Sequence, residues 1–168
     1  RPASADTPIR RIVPSFAGTP RFTGSQGLAL PNKPMTDRFS LLFVCSGNRF
    51  RSPMAEGFMR RLTLGLPVTV SSAGTIGVAG KPALEEAQAL AAWSGISLAD
   101  HSSCRFTPER AAGIDLVVGF EHAHVTFAVI EAGAPRDRAF TLPDLATLLA
   151  DIAPVDGSLP LPARARER

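Results

Sequence analysis

The sequence predicts an α/β fold, a doubly wound four-stranded parallel sheet with helices on both faces. Two observations predict it. Short apolar runs recur at 39–44, 68–72, 114–119 and 139–142, and segments of helical periodicity separate them. Strands that alternate with helices pair in parallel, because each crossover helix returns the chain and covers a face of the sheet.

The first run, Phe39-Ser40-Leu41-Leu42-Phe43-Val44, has the near-continuous apolar character of a strand buried on both sides. A glycine-containing loop follows. Pro53 stands where a helix begins, a place that suits its fixed φ and missing N–H. Met54, Phe58, Met59 and Leu62 give that helix an apolar stripe. The second strand is 68–72. A second helix over 82–94 carries Leu84, Ala87, Leu90 and Ala91 on one face and stops at Gly95. Trp93, late in that helix, reads as core. Thr107 and Pro108 read as the cap and first-turn proline of a short helix. The third strand is 114–119. A helix over 122–132 is closed by Gly133 and Pro135. The fourth strand is 139–142, and the last helix is 144–151, with Asp144 as its capping residue.

The 168 residues are expected to form one domain over 35–160. Residues 1–34 hold six of the fifteen prolines and no helical or strand period, and read as a disordered extension. Met35 stands directly ahead of the first strand. Residues 161–168 read as a basic tail.

The formal net charge of +3 invites a nucleic-acid reading, but its distribution opposes one. Residues 1–34 carry five basic groups and one acid, and 160–168 carry three arginines and one glutamate, so the remainder is mildly acidic. A nucleic-acid-binding domain needs a basic face of its own. No run of about 18 apolar residues is present, so no membrane span is expected. The two cysteines, Cys45 and Cys104, are not needed as a staple in a chain large enough to build a core. A nucleophilic thiol must stay reduced, and a cytoplasmic location is expected. His122 and His124 follow the third strand; a metal site needs more ligands, so both read as surface groups. No cofactor is expected.

The loop Cys45-Ser46-Gly47-Asn48-Arg49-Phe50-Arg51-Ser52 carries the chemistry. In open parallel sheets ligands bind outside the carboxyl ends of the strands, and Cys45 lies at such an end. Successive amides of a tight loop form a concave nest for an anion, and the following helix start adds partial positive charge. Arg51 offers a planar fork to two phosphate oxygens. A thiolate facing a bound phosphate is placed for displacement through a phosphocysteine. Ser52 can donate its hydroxyl to that sulfur. Gly47 and Asn48 tolerate the positive φ that such a loop demands. Cys45 and Arg51 are therefore the expected nucleophile and clamp, with Ser46, Gly47, Asn48, Arg49, Phe50 and Ser52 as the binding loop. A phosphate or sulfate ion is expected to occupy it.

From Val44 through Cys45, Arg51, Ser52 and Pro53 to Glu56, the segment resembles the signature of the low-molecular-weight protein tyrosine phosphatases. The likeness continues through Ser72-Ala73-Gly74-Thr75, Gly80-Lys81-Pro82, His101, Phe106-Thr107 and Asp115-Leu116-Val117-Val118. The resemblance implies a phosphomonoesterase acting on a phosphorylated protein or a small aryl phosphate. Several positions depart from the family pattern. The family often has a second cysteine directly before the arginine, where Phe50 stands here. The residue before that is usually aliphatic and here is Arg49, a second cation that either favours acidic substrates or points into solvent. Cys104 occupies a place where the family often has arginine and reads as a packed or partly exposed thiol. The cleft wall after Thr75 is aliphatic, Ile76 or Val78, and the chain has no tyrosine.

The family's general acid is an aspartate in a late Asp-Pro loop, and no Asp-Pro dipeptide exists here. Asp156 is the candidate acid and Asp151 stands behind it. Two other readings share the loop. One is an anion-binding module whose acid has decayed. The other is an arsenate reductase, which needs partner thiols that Gly119-Phe120-Glu121-His122 does not supply.

Overall fold

The computed structural model describes residues 38–150 and 152. The expected extension, the basic tail, Asp151 and Asp156 lie outside the described residues. The elements in chain order are β1 (Phe39–Cys45), α1 (Arg51–Leu62), β2 (Val68–Gly74), α2 (Glu85–Trp93), α3 (Pro108–Ala111), β3 (Leu116–Gly119), α4 (His122–Ile130), β4 (Ala139–Thr141) and α5 (Leu142–Ala150), with a 3-10 turn at Arg136–Arg138.

All three strand pairings are parallel and the spatial order is β2-β1-β3-β4, the four-stranded sheet that the alternation predicts. β1 is central: Cys45 pairs with Gly74 on one side, and Val44 with Gly119 on the other. The period of two along β1 sends its side chains to opposite faces. Leu42 and Val44 pack with Phe106, Ala111 and Ala128, from the α3 and α4 side. Leu41 and Phe43 pack with Val70, Val118, Ala55, Met59 and Leu145, from the α1 and α5 side. Helices thus cover both faces, and the unbroken apolar run of β1 is what a doubly covered strand requires.

α2 does not lie on the sheet. Its Ala87 and Ala91 close a separate cluster with Ala83, Ile96 and Leu98, against Phe50 and Met54. This corrects three expectations. Trp93 is not core: it is 90% exposed, because α2 packs through small alanines and turns its last residue outward. Leu84 and Leu90 are also exposed. The α1 stripe is divided, with Met59 toward the sheet, Met54 toward α2, and Phe58 and Leu62 exposed. α1 and the segment after α2 approach closely at Gly57, where an added Cβ would stand 2.6 Å from Ile96 Cγ2.

Element ends shift by a few residues. α2 starts at Glu85 because the backbone N–H of Leu84, itself extended, donates to Arg49 O at 2.8 Å. Gly95 adopts a φ of 70° at its stop, as expected. Pro108 opens α3, but Thr107 gives no side-chain cap; its side chain bonds the Glu109 carboxyl and holds it below the usual range. The Asp144 expectation is reversed in direction. Thr141 Oγ1 accepts the Asp144 N–H at 3.2 Å and donates to Asp144 Oδ2 at 2.6 Å, so Thr141 caps the helix and Asp144 answers it. Among the described residues no helix is long and apolar enough to cross a membrane.

Candidate active site

Strand β1 delivers Cys45 to the carboxyl edge of the sheet, and the chain turns through five residues into α1 at Arg51. Neighbouring backbone holds this turn from outside. Thr75 N–H donates to Cys45 O at 2.9 Å and Ile76 N–H to Ser46 O at 3.0 Å. Gly74 is a glycine for a steric reason: a Cβ there would lie 2.6 Å from Ser46 O and 2.9 Å from Asn48 N.

Asn48 is the keystone of the loop. It is fully buried and is the sole described non-glycine residue with a positive φ, 53°. Its side-chain amide donates to Ser52 Oγ at 2.9 Å and Ser72 Oγ at 2.8 Å, while Oδ1 accepts the Cys104 N–H at 2.8 Å. His101 Nε2 donates to Asn48 O at 2.7 Å, and Ser72 Oγ donates a hydrogen bond to Glu56, which pairs with Arg60 at 2.6 Å. Gly47, by contrast, does not take a positive φ; Asn48 alone carries the tight bend.

The sulfur of Cys45 is buried within this frame. The Asn48 N–H donates to Sγ at 3.2 Å, and Ser52 Oγ lies 3.0 Å from it. Ser52 Oγ accepts from Asn48, and its single proton is shared between Ala73 O at 3.4 Å and the sulfur. Burial pushes the Cys104 thiol up, and its Sγ bonds Ser72 O at 3.3 Å; neither cysteine is in a disulfide.

At the mouth, Arg51 is held by three groups. It pairs with the Glu121 carboxylate, its NH2 nitrogen reaches Ser46 Oγ at 3.4 Å, and its guanidinium carbon lies 5.8 Å from the Phe120 ring centroid. The bond from Arg51 holds the Glu121 carboxyl below its usual range. Arg49 lies along the rim with Nε donating to Pro82 O at 2.9 Å. Phe50 turns away from the loop and packs against the α2 cluster. Ile76 and Val78, after Thr75, are exposed, and an aromatic ring, Phe120, stands beside Arg51 at the mouth.

The expected loop residues are therefore brought together around Cys45 and Arg51, with the Phe50 side chain leaving for the core. Sequence reasoning missed Phe120, Glu121 and His124, which join the mouth from the end of β3 and the start of α4. His124 is the clearest correction: it is 2% exposed, not a surface group, because the first turn of α4 sits on the loop. His122 is exposed as expected. The signal for these three was their position, directly after the carboxyl end of a strand beside β1. Among the described residues no group of three or more His, Cys, Asp or Glu could hold a metal ion.

Fold and loop together define a phosphatase of the cysteine-loop class. The sequence profile of the family described as low molecular weight phosphotyrosine protein phosphatase matches residues 40–153, and the chain belongs to that family. It is similar to the low molecular weight protein-tyrosine-phosphatase Etp of Escherichia coli strain K12, 39% identical over 103 residues, 61% of this chain and 67% of the relative. It is also similar to a protein-arginine-phosphatase of Bacillus subtilis strain 168, 35% identical over 109 residues, 64% of this chain and 72% of the relative. Among solved structures, a YwlE arginine phosphatase mutant with a phosphorylated active site serine superimposes with a TM-score of 0.62 at 30% identity, covering 77% of this chain and 87% of that one.

Proposed function

We propose that the protein is a phosphomonoesterase that cleaves protein-phosphotyrosine or aryl phosphates through a phosphocysteine. Cys45 is the nucleophile and Arg51 the clamp on two equatorial oxygens. The amides of Ser46, Gly47, Asn48, Arg49 and Phe50 bind the remaining charge, and a free phosphate or sulfate occupies the same place. Ser52 donates to the sulfur when the thiolate leaves. In the first step the thiolate displaces the ester oxygen from phosphorus, and that oxygen takes a proton from an acid, with Asp156 the first candidate and Asp151 the second. In the second step water, deprotonated by the same carboxylate, attacks phosphorus and releases phosphate and thiolate. One observation carries the reading: the Cys45 sulfur sits at the carboxyl end of the central strand, with the Asn48 N–H and the Ser52 hydroxyl both within 3.2 Å of it.

The functional domain is taken to run from 35 to 160, and the site belongs in a reducing compartment, the cytoplasm, where Cys45 stays free. A second reading, protein-phosphoarginine as substrate, is favoured by the similarity to a protein-arginine-phosphatase.

The test is hydrolysis of p-nitrophenyl phosphate beside a phosphoarginine peptide. Turnover should vanish in Cys45→Ser and Arg51→Ala, and the basic limb of the pH–rate profile should disappear in Asp156→Ala. Turnover that survives Cys45→Ser refutes the mechanism. Loss of the basic limb in Asp151→Ala instead reassigns the acid. Faster turnover of the peptide than of the aryl ester selects the second reading.

A further inference from the structure

His124 forms a chain of contacts that the catalytic scheme does not use. Its Nδ1 accepts the Glu121 backbone N–H at 3.1 Å, so that nitrogen carries no proton and the ring proton of the neutral form is on Nε2. Nε2 lies 3.0 Å from Ser46 Oγ and therefore donates to it. Ser46 Oγ also receives the Arg51 guanidinium at 3.4 Å. A hydroxyl that accepts from two donors has its own proton left to give. In the phosphate-loop reading above, the acceptor for that proton is an anionic oxygen beside Arg51.

The placement of the ring depends on Gly119. A Cβ at that position would stand 2.9 Å from His124 Cβ and 3.2 Å from Val125 Cγ2, so the bare backbone at the end of β3 lets the first turn of α4 settle against the loop. His124 as a residue is 2% exposed. Burial, with Arg51 nearby, lowers its pKa against the opposing pull of Glu121, which agrees with a neutral ring. Protonation would put a second N–H at Nδ1, facing the Glu121 N–H, and the pair would part.

We propose that His124 is a positioning residue of the phosphate site: it holds Ser46 as a hydrogen-bond donor to the phosphoryl group that Arg51 clamps. The proposal rests on the phosphate-loop reading above and adds Ser46 Oγ, through His124, to the groups that recognise the anion. It requires a side chain at position 124 that donates from the place of Nε2.

Two substitutions separate this role from a structural one. His124→Asn keeps an acceptor near the place of Nδ1 for the Glu121 N–H but cannot reach Ser46. His124→Gln places an N–H near the place of Nε2. The measurement is calorimetric binding of inorganic phosphate to the full chain, with kcat and KM on p-nitrophenyl phosphate beside it. A lost hydrogen bond of this kind should weaken phosphate binding about three- to tenfold in His124→Asn. His124→Gln should stay near the wild type, and Ser46→Ala should match His124→Asn. In the Ser46→Ala background the Asn and Gln variants should bind phosphate equally.

Equal affinities of the Asn and Gln variants in the Ser46 background of the natural chain overturn the proposal. So does an Asn-to-Gln difference that persists in Ser46→Ala. A wild type that binds phosphate but turns over no ester defeats the hydrolase reading while the binding comparison still decides the role of His124. A wild type that binds no phosphate overturns both.

Discussion

Replacing Asn48 with alanine should unfold the loop's frame while leaving Cys45 and Arg51 in the sequence. The amide that is lost makes three hydrogen bonds, to Ser52 Oγ, Ser72 Oγ and the Cys104 N–H, from a fully buried position. The two hydroxyls keep other partners, Ser52 with Ala73 O and Ser72 with Glu56, so each costs no more than the roughly 1 kcal/mol net of a neutral bond. The part-buried Cys104 N–H loses the Asn48 side-chain carbonyl, and a donor left without its partner costs about 1–3 kcal/mol. Alanine at a φ of 53° adds about 1 kcal/mol over asparagine, whose short polar side chain tolerates that region. A loss of about 2–6 kcal/mol follows, a large part of the roughly 5–15 kcal/mol that stabilises a domain. Urea unfolding reads it directly. With a slope of about 2 kcal/mol/M the midpoint should fall by roughly 1–3 M at unchanged slope. A fall below about 0.5 M would refute the view that this amide holds the loop, and a changed slope would show that the folded or denatured ensemble itself had altered.

Gly74→Ala should disturb the same loop from outside, because the three atoms nearest the new Cβ are backbone atoms of Ser46, Asn48 and Gly47. Overpacking of this kind costs about 1–3 kcal/mol, and displaced amides should weaken phosphate binding about tenfold by calorimetry; unchanged affinity contradicts the predicted clash. His124 predicts a pH dependence of stability. Its folded pKa lies below the unfolded value of 6.5, so on acidification the unfolded chain takes up the proton first and the native state loses stability below about pH 6.5. The stability difference between the wild type and His124→Gln should therefore shrink between about pH 7.5 and about pH 5 in thermal unfolding, and a constant difference would show that the ring titrates freely in the fold.

The local features of this protein were legible without coordinates. The apolar run of β1, the eight-residue loop and the helix that opens at Arg51 are contiguous in the chain, and each obeys a short-range rule: a doubly buried strand, an anion nest, a proline in the first turn. The alternation of strands and helices was enough to predict a parallel sheet, since a parallel pair needs a crossover. The misread residues share a different property. Trp93 lies on a helix whose periodicity is clear, but periodicity does not say which neighbour the helix meets. α2 meets α1 through Ala87 and Ala91 rather than the sheet, and the tryptophan is left outside.

His124 reads as a surface group after a strand, because nothing local reveals its contact with Ser46 across 78 residues. The elements, the family likeness and the meeting of Cys45 with Arg51 in one loop could thus be read from the chain alone. What surrounds them could not: Asn48 bonded to Ser72 and Cys104, Glu121 and Phe120 on Arg51, and His124 on Ser46. The physical reason is that loop geometry is set by neighbours in the chain, whereas these partners meet only when β2, β3 and α4 are assembled around β1.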